Sequence, residues 1–525
     1  MKVVFRVDAS IKIGTGHVMR CLTLAAVLRD QGIDVLFLCR PHSGHLIQLI
    51  EQKGYEVARL AQPNSYSDET LFHSDWLGVT QQQDAEQCAQ FLHNKPVDWL
   101  IVDHYALDKN WQTQLKPYCE KLMVIDDLGD REHLCDWLLD QNYGATTAKY
   151  QHLVPDHCQI LAGADYSLLR SEFAEWRDYS LNRRTDKNTV ENILITMGGV
   201  DPDNYTGKIL AQMSNVPLSG QEKIIVVMGA NAPHLQTVQY QAAAMPFDIE
   251  IKTNVANMAE IMANADIAIG AAGSTTWERC CLGLPTIQLV IAENQRQIAE
   301  ALSSINVVQI LDEVSFLPKV VRDALNQLKD LTENSSRLVD GQGASRVTNM
   351  LSQSYQNQEG HVFFPYTALT PKQSLFVLAM RNHESIRKWM HQQKMITESE
   401  HLAFVGSLKS RIDRRFFMVQ RAEKIIGTLN FTDIDNEQRR AEFGIFANPF
   451  LAEKGQGTAL MILALDYALK ILKLNELDLV VYDDNYAAIC LYKKFGFIET
   501  YQSQQESKTL IHMTKQLTES IPYEN

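Results

Sequence analysis

Val3-Val4-Phe5-Arg6-Val7 opens a rhythm that runs through the first third of the chain, in which short apolar runs of strand length alternate with stretches of helical spacing. The pattern predicts strands at 3–7, 34–38, 98–102 and 121–125, with Cys21–Leu28 on a helix after the first. Such a βαβ series predicts a mainly parallel sheet, with functional loops at the strand C-terminal ends. Those loops read Gly14–His17, Asp103-His104-Tyr105 and Asp126-Asp127. A second series predicts strands at 192–196, 223–227, 248–252, 266–269 and 286–290, followed by loops at 197–201, 228–231 and 270–275. The charged segment 172–190 between the two series reads as a hinge. Gln353–Gly360 lacks apolar periodicity and reads as a linker. Beyond it the runs at 416–419, 424–429, 441–447 and 477–482 are strand-like, the first three with hairpin spacing, and Ala459–Lys470 is a strong apolar helix. The expected fold class is α/β, with two doubly wound domains at 1–170 and 190–350 and an α+β domain at 361–518.

A chain of 525 residues is too long for one core, and domains of about 100–200 residues fit three units. Hydrophobic content of 45% and charged content of 21% are ordinary for a globular protein. The formal net charge of −14 argues against a nucleic-acid or anionic-membrane partner. Nine cysteines without metal-ligand spacing predict a reducing, cytoplasmic setting. The N-terminus enters a strand directly, unlike a signal peptide, and no apolar run approaches the ~20 residues that span a bilayer.

The most informative local feature is Ile13-Gly14-Thr15-Gly16-His17-Val18-Met19-Arg20. Strand, glycine loop and helix in that order aim backbone N–H groups at an anion. A neutral imidazole at the mouth of the helix could take a proton from water. The competing reading is an ordinary glycine turn with His17 capping the helix, and the local sequence leaves the two even.

Six motifs in order resemble the UDP-sugar hydrolase family of pseudaminic acid biosynthesis. They are Gly14-x-Gly16-His17-x-x-Arg20, Asp103-His104-Tyr105, Asp126-Asp127, Tyr166–Phe173 with Arg170, Met197-Gly198-Gly199-x-Asp201, and Gly273-Ser274-Thr275-Thr276-x-Glu278. The resemblance implies a GT-B fold and inverting, metal-independent hydrolysis of UDP-2,4-diacetamido-2,4,6-trideoxy-β-L-altropyranose by C–O cleavage. It implies His17 as general base, with Gly14, Gly16, Arg170 and Gly198 in the substrate site. Ser274 and Thr275 would hold the diphosphate, and Glu278 the ribose, against the alternative of an exposed acid favoured by a helix dipole. Val255-Ala256-Asn257 resembles the uracil-reading segment, or is a plain strand-to-helix connection. Tyr105 and Asp103 are candidate contacts to the acetamido groups, Asp103 being equally readable as structural. Asp201-Pro202-Asp203 mimics a metal-binding Asp-x-Asp but reads as a loop, with Asp201 near the sugar.

Residues 361–515 resemble the GNAT acetyltransferases, and in pathway context the amino-sugar N-acetyltransferase of the same route. Glu442–Ala447 leads into Glu453-Lys454-Gly455-Gln456-Gly457-Thr458, a pyrophosphate loop feeding a helix, with Ala452 where the family carries Arg or Gln. Val481-Tyr482-Asp483-Asp484-Asn485-x-x-Ala488-x-x-x-Tyr492-x-Lys494-x-Gly496-Phe497 resembles the C-terminal signature. The resemblance implies acetyl-CoA as cosubstrate, held by Ile445, Phe446, Lys454, Gly455, Gly457, Thr458 and Asn485. It implies Tyr492 as the acid for thiolate departure, against core packing. No residue stands out as the amine base. The expected substrate is a UDP-linked amino sugar, N-acetylated and then hydrolysed. A UDP-sugar glycosyltransferase fused to an acetyltransferase is the alternative.

Overall fold

The computed structural model describes residues 1–62, 71–93, 96–187, 189–291, 295–505 and 508–518. The chain folds as two compact units, 1–345 and 346–525.

The first unit holds two parallel sheets. One comprises β1 (Lys2–Val7), β2 (Asp34–Cys39), β3 (Glu56–Arg59), β4 (Trp99–Asp103), β5 (Lys121–Ile125), β6 (Trp137–Asp140) and β7 (Gln159–Ala162), in the order β3-β2-β1-β4-β5-β6-β7. The other comprises β8 (Asn192–Thr196), β9 (Lys223–Met228), β10 (Asp248–Thr253), β11 (Ile267–Ala271), β12 (Thr286–Leu289) and β13 (Gln309–Leu311), in the order β10-β9-β8-β11-β12-β13. In each sheet the order reverses beside the first strand, which creates a crevice at the strand C-terminal ends. Helices cover both faces, so the central strands are predominantly apolar, and Val3, Val4, Phe5 and Val7 have no exposed surface. Sequence pattern missed β3, β6, β7 and β13, which are only three or four residues long.

The expected hinge at 172–190 is largely the helix Ser171–Arg184. Its charge comes from arginines that satisfy orphan carbonyls of other elements. Arg177 donates to the carbonyls of Cys281, Ser336 and Val339, and Arg184 to those of Met262, Ala263 and Ala265.

The second unit is one eight-stranded sheet. It comprises β14 (Tyr355–Gln356), β15 (His361–Pro365), β16 (Arg415–Arg421), β17 (Lys424–Asp435), β18 (Arg440–Ala447), β19 (Glu476–Tyr482), β20 (Ile498–Gln505) and β21 (Lys508–Gln516). The expected linker is therefore a hairpin. Tyr355 and Gln356 pair with Phe363 and Val362, and the Tyr355 hydroxyl donates to Asp466 at 2.6 Å. Aromatic packing of Tyr355 on Phe363 and Tyr467 supplies the burial that the polar composition concealed.

One irregularity shapes the site. β18 and β19 are parallel but paired only over Arg440–Glu442 and Glu476–Asp478. β18 continues against β17 as far as Ala447, so beyond Glu442 the two parallel strands diverge and open a wedge.

Candidate active sites

The glycine loop after β1 is stapled by Ser10. Its hydroxyl accepts from the amides of Lys12 and Ile13, and its carbonyl from Gly14, which turns at φ +79. The helix Gly16–Asp30 starts there, so His17 lies in its first turn. Parallel pairing sets Val7 opposite Asp103 and brings the end of β4 to that turn. His17 Nδ1 stands 2.6 Å from Asp103 Oδ1. Arg20, one turn along, forks onto both oxygens of Asp103 at 2.6 Å each and approaches Asp127 at 3.5 Å. Tyr105 donates its hydroxyl to Asp127, and its ring meets His17 edge-on at 4.6 Å. Trp76 stacks on Tyr105 at 5.7 Å and His73 packs on Trp76 at 4.3 Å.

This geometry revises the expectation for Asp103. Its side chain has no exposed surface, so it does not reach a substrate and instead serves His17 and Arg20. Burial opposes its ionisation, but the Arg20 guanidinium and His17 outweigh burial and hold the carboxyl below the usual range. An ionised Asp103 accepts the Nδ1 proton, which fixes the tautomer and leaves Nε2 without a partner among the described residues. Tyr105 likewise spends its hydroxyl on Asp127.

Beneath the loop lies a lattice that sequence reasoning missed. Arg6 binds Asp84 at 2.7 Å and Asp8 at 2.8 Å, and Arg40 binds Asp84 at 2.6 Å, all four side chains fully buried. Asp8 also accepts from the backbone amide of Arg40 at 2.6 Å, which ties the ends of β1 and β2 together. The signal was present as an arginine in the middle of an apolar strand, whose charge requires a buried partner.

In the second sheet the predicted residues divide into groups. Ser274 is exposed and free of a capping bond at the start of the helix Thr275–Cys281, where Thr275 follows. Gly198 lies exposed in the loop after β8. Glu278 faces Arg170 at 3.6 Å, and Arg170 also holds Glu172 at 2.9 Å. Burial raises the pKa of Glu278, with Arg170 opposing. Val255 and Asn257 belong to the connection between β10 and the helix Met258–Asn264, with Asn257 donating to Glu260. Asp201 is a correction. Its two carboxylate oxygens accept from the amides of Tyr205 and Thr206 at 2.8 and 2.9 Å. It is 4% exposed, a helix cap rather than a sugar contact.

In the second unit the wedge between β18 and β19 contains a cavity of about 830 Å³. Ile445, Phe446, Asn485 and Tyr492 all line it. Lys454, Gly455, Gly457 and Thr458 form the turn and first residues of the helix Gln456–Lys470, with Gly455 at φ +88. Gln456 shapes that turn by donating to the carbonyls of Leu451 and Glu453 and accepting from the Asn448 amide. Tyr492 packs near Phe443 and Phe497 at 6.2 and 6.1 Å, and burial raises its phenol to about 12. Glu442, at the point of divergence, also lines the cavity, and burial followed by Asp433 raises its carboxyl. Sequence reasoning had no signal for Glu442, because only the end of strand pairing shows that its neighbourhood is open.

Residues 379–497 match the acetyltransferase (GNAT) family, and residues 192–350 match the glycosyltransferase family 28 C-terminal domain. An uncharacterized protein of Methanocaldococcus jannaschii is 22% identical over 96% of this chain and 98% of its own length. The UDP-2,4-diacetamido-2,4,6-trideoxy-β-L-altropyranose hydrolase of Campylobacter jejuni is 27% identical over 57% of this chain and 95% of its own. Acetyltransferase PseH of the same organism is 35% identical over 25% of this chain and 81% of its own. The first unit is thus a homologue of a UDP-sugar hydrolase with the GT-B glycosyltransferase-like architecture, joined to a PseH-like acetyltransferase.

Proposed function

This chain belongs, through its C-terminal unit, to the GNAT acetyltransferase family, and from that premise we propose that it carries out two consecutive reactions on one UDP-linked amino sugar. The C-terminal unit transfers acetyl from acetyl-CoA to the 4-amine of a UDP-2-acetamido-4-amino-trideoxy sugar. The N-terminal unit hydrolyses the resulting UDP-2,4-diacetamido sugar, the substrate named for its Campylobacter homologue.

In the acetyl transfer the amine attacks the thioester carbonyl, and its proton passes to Glu442, which lines the cavity and whose carboxyl burial makes more basic than a free one. Tyr492, protonated at neutral pH, supplies the proton for the departing thiolate. Asn485, Ile445 and Phe446 line the wedge for the cosubstrate arm, and the turn Lys454–Thr458 faces its phosphates with backbone N–H groups.

In the hydrolysis, His17 Nε2 takes a proton from water attacking the anomeric carbon, and UDP leaves with inversion. The observation that carries this reading is the His17–Asp103 pair at 2.6 Å, which orients the base and stabilises the imidazolium formed as it works. Ser274, Thr275 and the Gly198 loop receive the diphosphate, with Glu278 toward the ribose and Val255–Asn257 toward the uracil. No metal is required for departure of a diphosphate held by such donors. Commitment of both Asp201 oxygens to backbone amides supports reading Asp201-Pro202-Asp203 as a loop rather than a metal pair.

The match to a glycosyltransferase domain supports a second reading, transfer of the sugar to an acceptor. Incubation with the UDP-diacetamido sugar in EDTA, without acceptor, separates the two. Stoichiometric UDP and free sugar support the hydrolase, whereas UDP release only on addition of an acceptor or a divalent metal overturns it.

A further inference from the structure

Arg279 is 1% exposed, yet no carboxylate pairs with it among the described residues. One nitrogen is satisfied, since Nη2 donates to the carbonyl of Ala271 at 3.0 Å and to Thr276 Oγ1 at 3.2 Å. Nε and Nη1 have no hydrogen-bond partner among the described residues. A buried, unpaired guanidinium is costly, and folded chains seldom keep one without a use for the charge. Burial draws its pKa down to about 10, so it remains cationic at neutral pH.

Its position indicates the use. A Cβ on Gly270 would stand 2.1 Å from Arg279 Nη1 and 3.2 Å from the carbonyl of Thr196. The guanidinium therefore lies close against the backbone where β11 and β8 end side by side, Thr196 being paired with Gly270. Gly270 is the residue that admits it. The loops Met197–Asp201 and Ala272–Ser274 continue directly from those strand ends.

We propose that Arg279 is the positioning residue of the diphosphate site, a fixed cation set beneath both glycine-bearing loops, whose counter-charge is the ligand's diphosphate. This inference rests on the nucleotide reading of the second sheet given above. Arg279 does not touch the ligand. It acts through the Ala271 carbonyl it orients and through its field, which is strong in a poorly screened interior. The adjacent carboxylate, Glu278, faces Arg170 instead, and one in direct contact with Arg279 would cancel that field. As the glycosidic C–O bond breaks and the electron pair goes to the diphosphate oxygen, the same field favours the added charge.

Calorimetric titration with UDP and with uridine tests the assignment in the full chain. Arg279→Met keeps the length of the stem and removes the charge. It is expected to weaken UDP binding by about tenfold or more while uridine stays within about twofold. Arg279→Lys is expected to hold most of the UDP preference over uridine. Should the Met variant not fold, Arg279→Gln, which retains a donor for Ala271 and Thr276, is expected to give the same split. Unchanged UDP binding, or equal loss of UDP and uridine, overturns the proposal. Failure of the wild-type chain to bind UDP at all overturns the underlying nucleotide reading instead.

Discussion

His17 and Tyr492 have comparable tasks, each exchanging a proton at a reacting centre, but their surroundings are opposite. His17 sits in a mesh of charge. Asp103, Arg20 and Asp127 surround it, and the Arg6–Asp84–Arg40 lattice lies below. Tyr492 sits among rings and strand backbone, and burial leads the shift in its pKa. A base must have one tautomer and one orientation, which ionic hydrogen bonds specify directly. An acid that must stay protonated needs only to be kept from ionising, which an apolar wall achieves. Damage to the first site should therefore act through electrostatics, and damage to the second through loss of one hydroxyl.

The largest effect is expected from Asp103→Asn. The side chain keeps its shape but loses the charge that selects the Nδ1–H tautomer. UDP release is expected to fall by about 10²–10⁴-fold while acetyl transfer by the same protein is unchanged. A rate near wild type would show that His17 is not oriented through Asp103. Next is Tyr492→Phe, which preserves ring packing and removes the proton donor. Acetyl transfer is expected to drop by about 10²-fold with acetyl-CoA affinity retained and UDP release untouched. Unchanged transfer returns Tyr492 to a packing role.

Legibility from sequence follows the same division. The glycine loop and the strands around it were readable because backbone geometry demands glycine and apolar runs at fixed places, and the segment from Val481 to Phe497 through its resemblance to the GNAT family. The partner of His17 was not, because Asp103 lies 86 positions away and only parallel register joins them. Asp201 was misassigned because an acid after a glycine loop looks the same whether it caps a helix or meets a sugar. The hairpin at 355–365 was hidden because Tyr355 gains its burial from residues more than a hundred positions distant, such as Asp466 and Tyr467. Glu442 was invisible because sequence does not announce where two strands stop pairing.

Acid sensitivity gives a smaller contrast. Asp8, Asp84 and Asp103 are buried, Asp127 is partly buried, and all four are held below the usual carboxylate range, in each case by arginines that outweigh burial. A folded-state pKa below the unfolded one contributes stability above the unfolded value, about 3.9, and that stability is lost as pH falls further. In the C-terminal unit, Asp413 and Glu400 are lowered at solvent-facing sites, where screening weakens the effect. Pepsin digestion of the full chain at stepwise lower pH should open the N-terminal unit first below about pH 4. Simultaneous opening would mean that the buried lattice does not dominate its acid response.

The smallest effect concerns the boundary. Fragment 361–525 lacks β14 and the Tyr355–Asp466 bond, whereas 346–525 keeps both. The shorter fragment is expected to be less stable by about 1–3 kcal/mol in urea denaturation. Equal midpoints would restore 353–360 as a linker.

The central claim is that one chain performs two ordered steps, and a single time course tests it. The UDP-2-acetamido-4-amino-trideoxy sugar is incubated with acetyl-CoA and the full chain, and all nucleotide species are followed by mass spectrometry. The acetylated UDP-sugar is expected to rise first and UDP to follow, with no comparable UDP release when acetyl-CoA is omitted. In His17→Ala the acetylated UDP-sugar is expected to accumulate with UDP release slowed by about 10²–10⁴-fold. UDP released from the amine at the same rate without acetyl-CoA, or at wild-type rate by His17→Ala, would contradict the account.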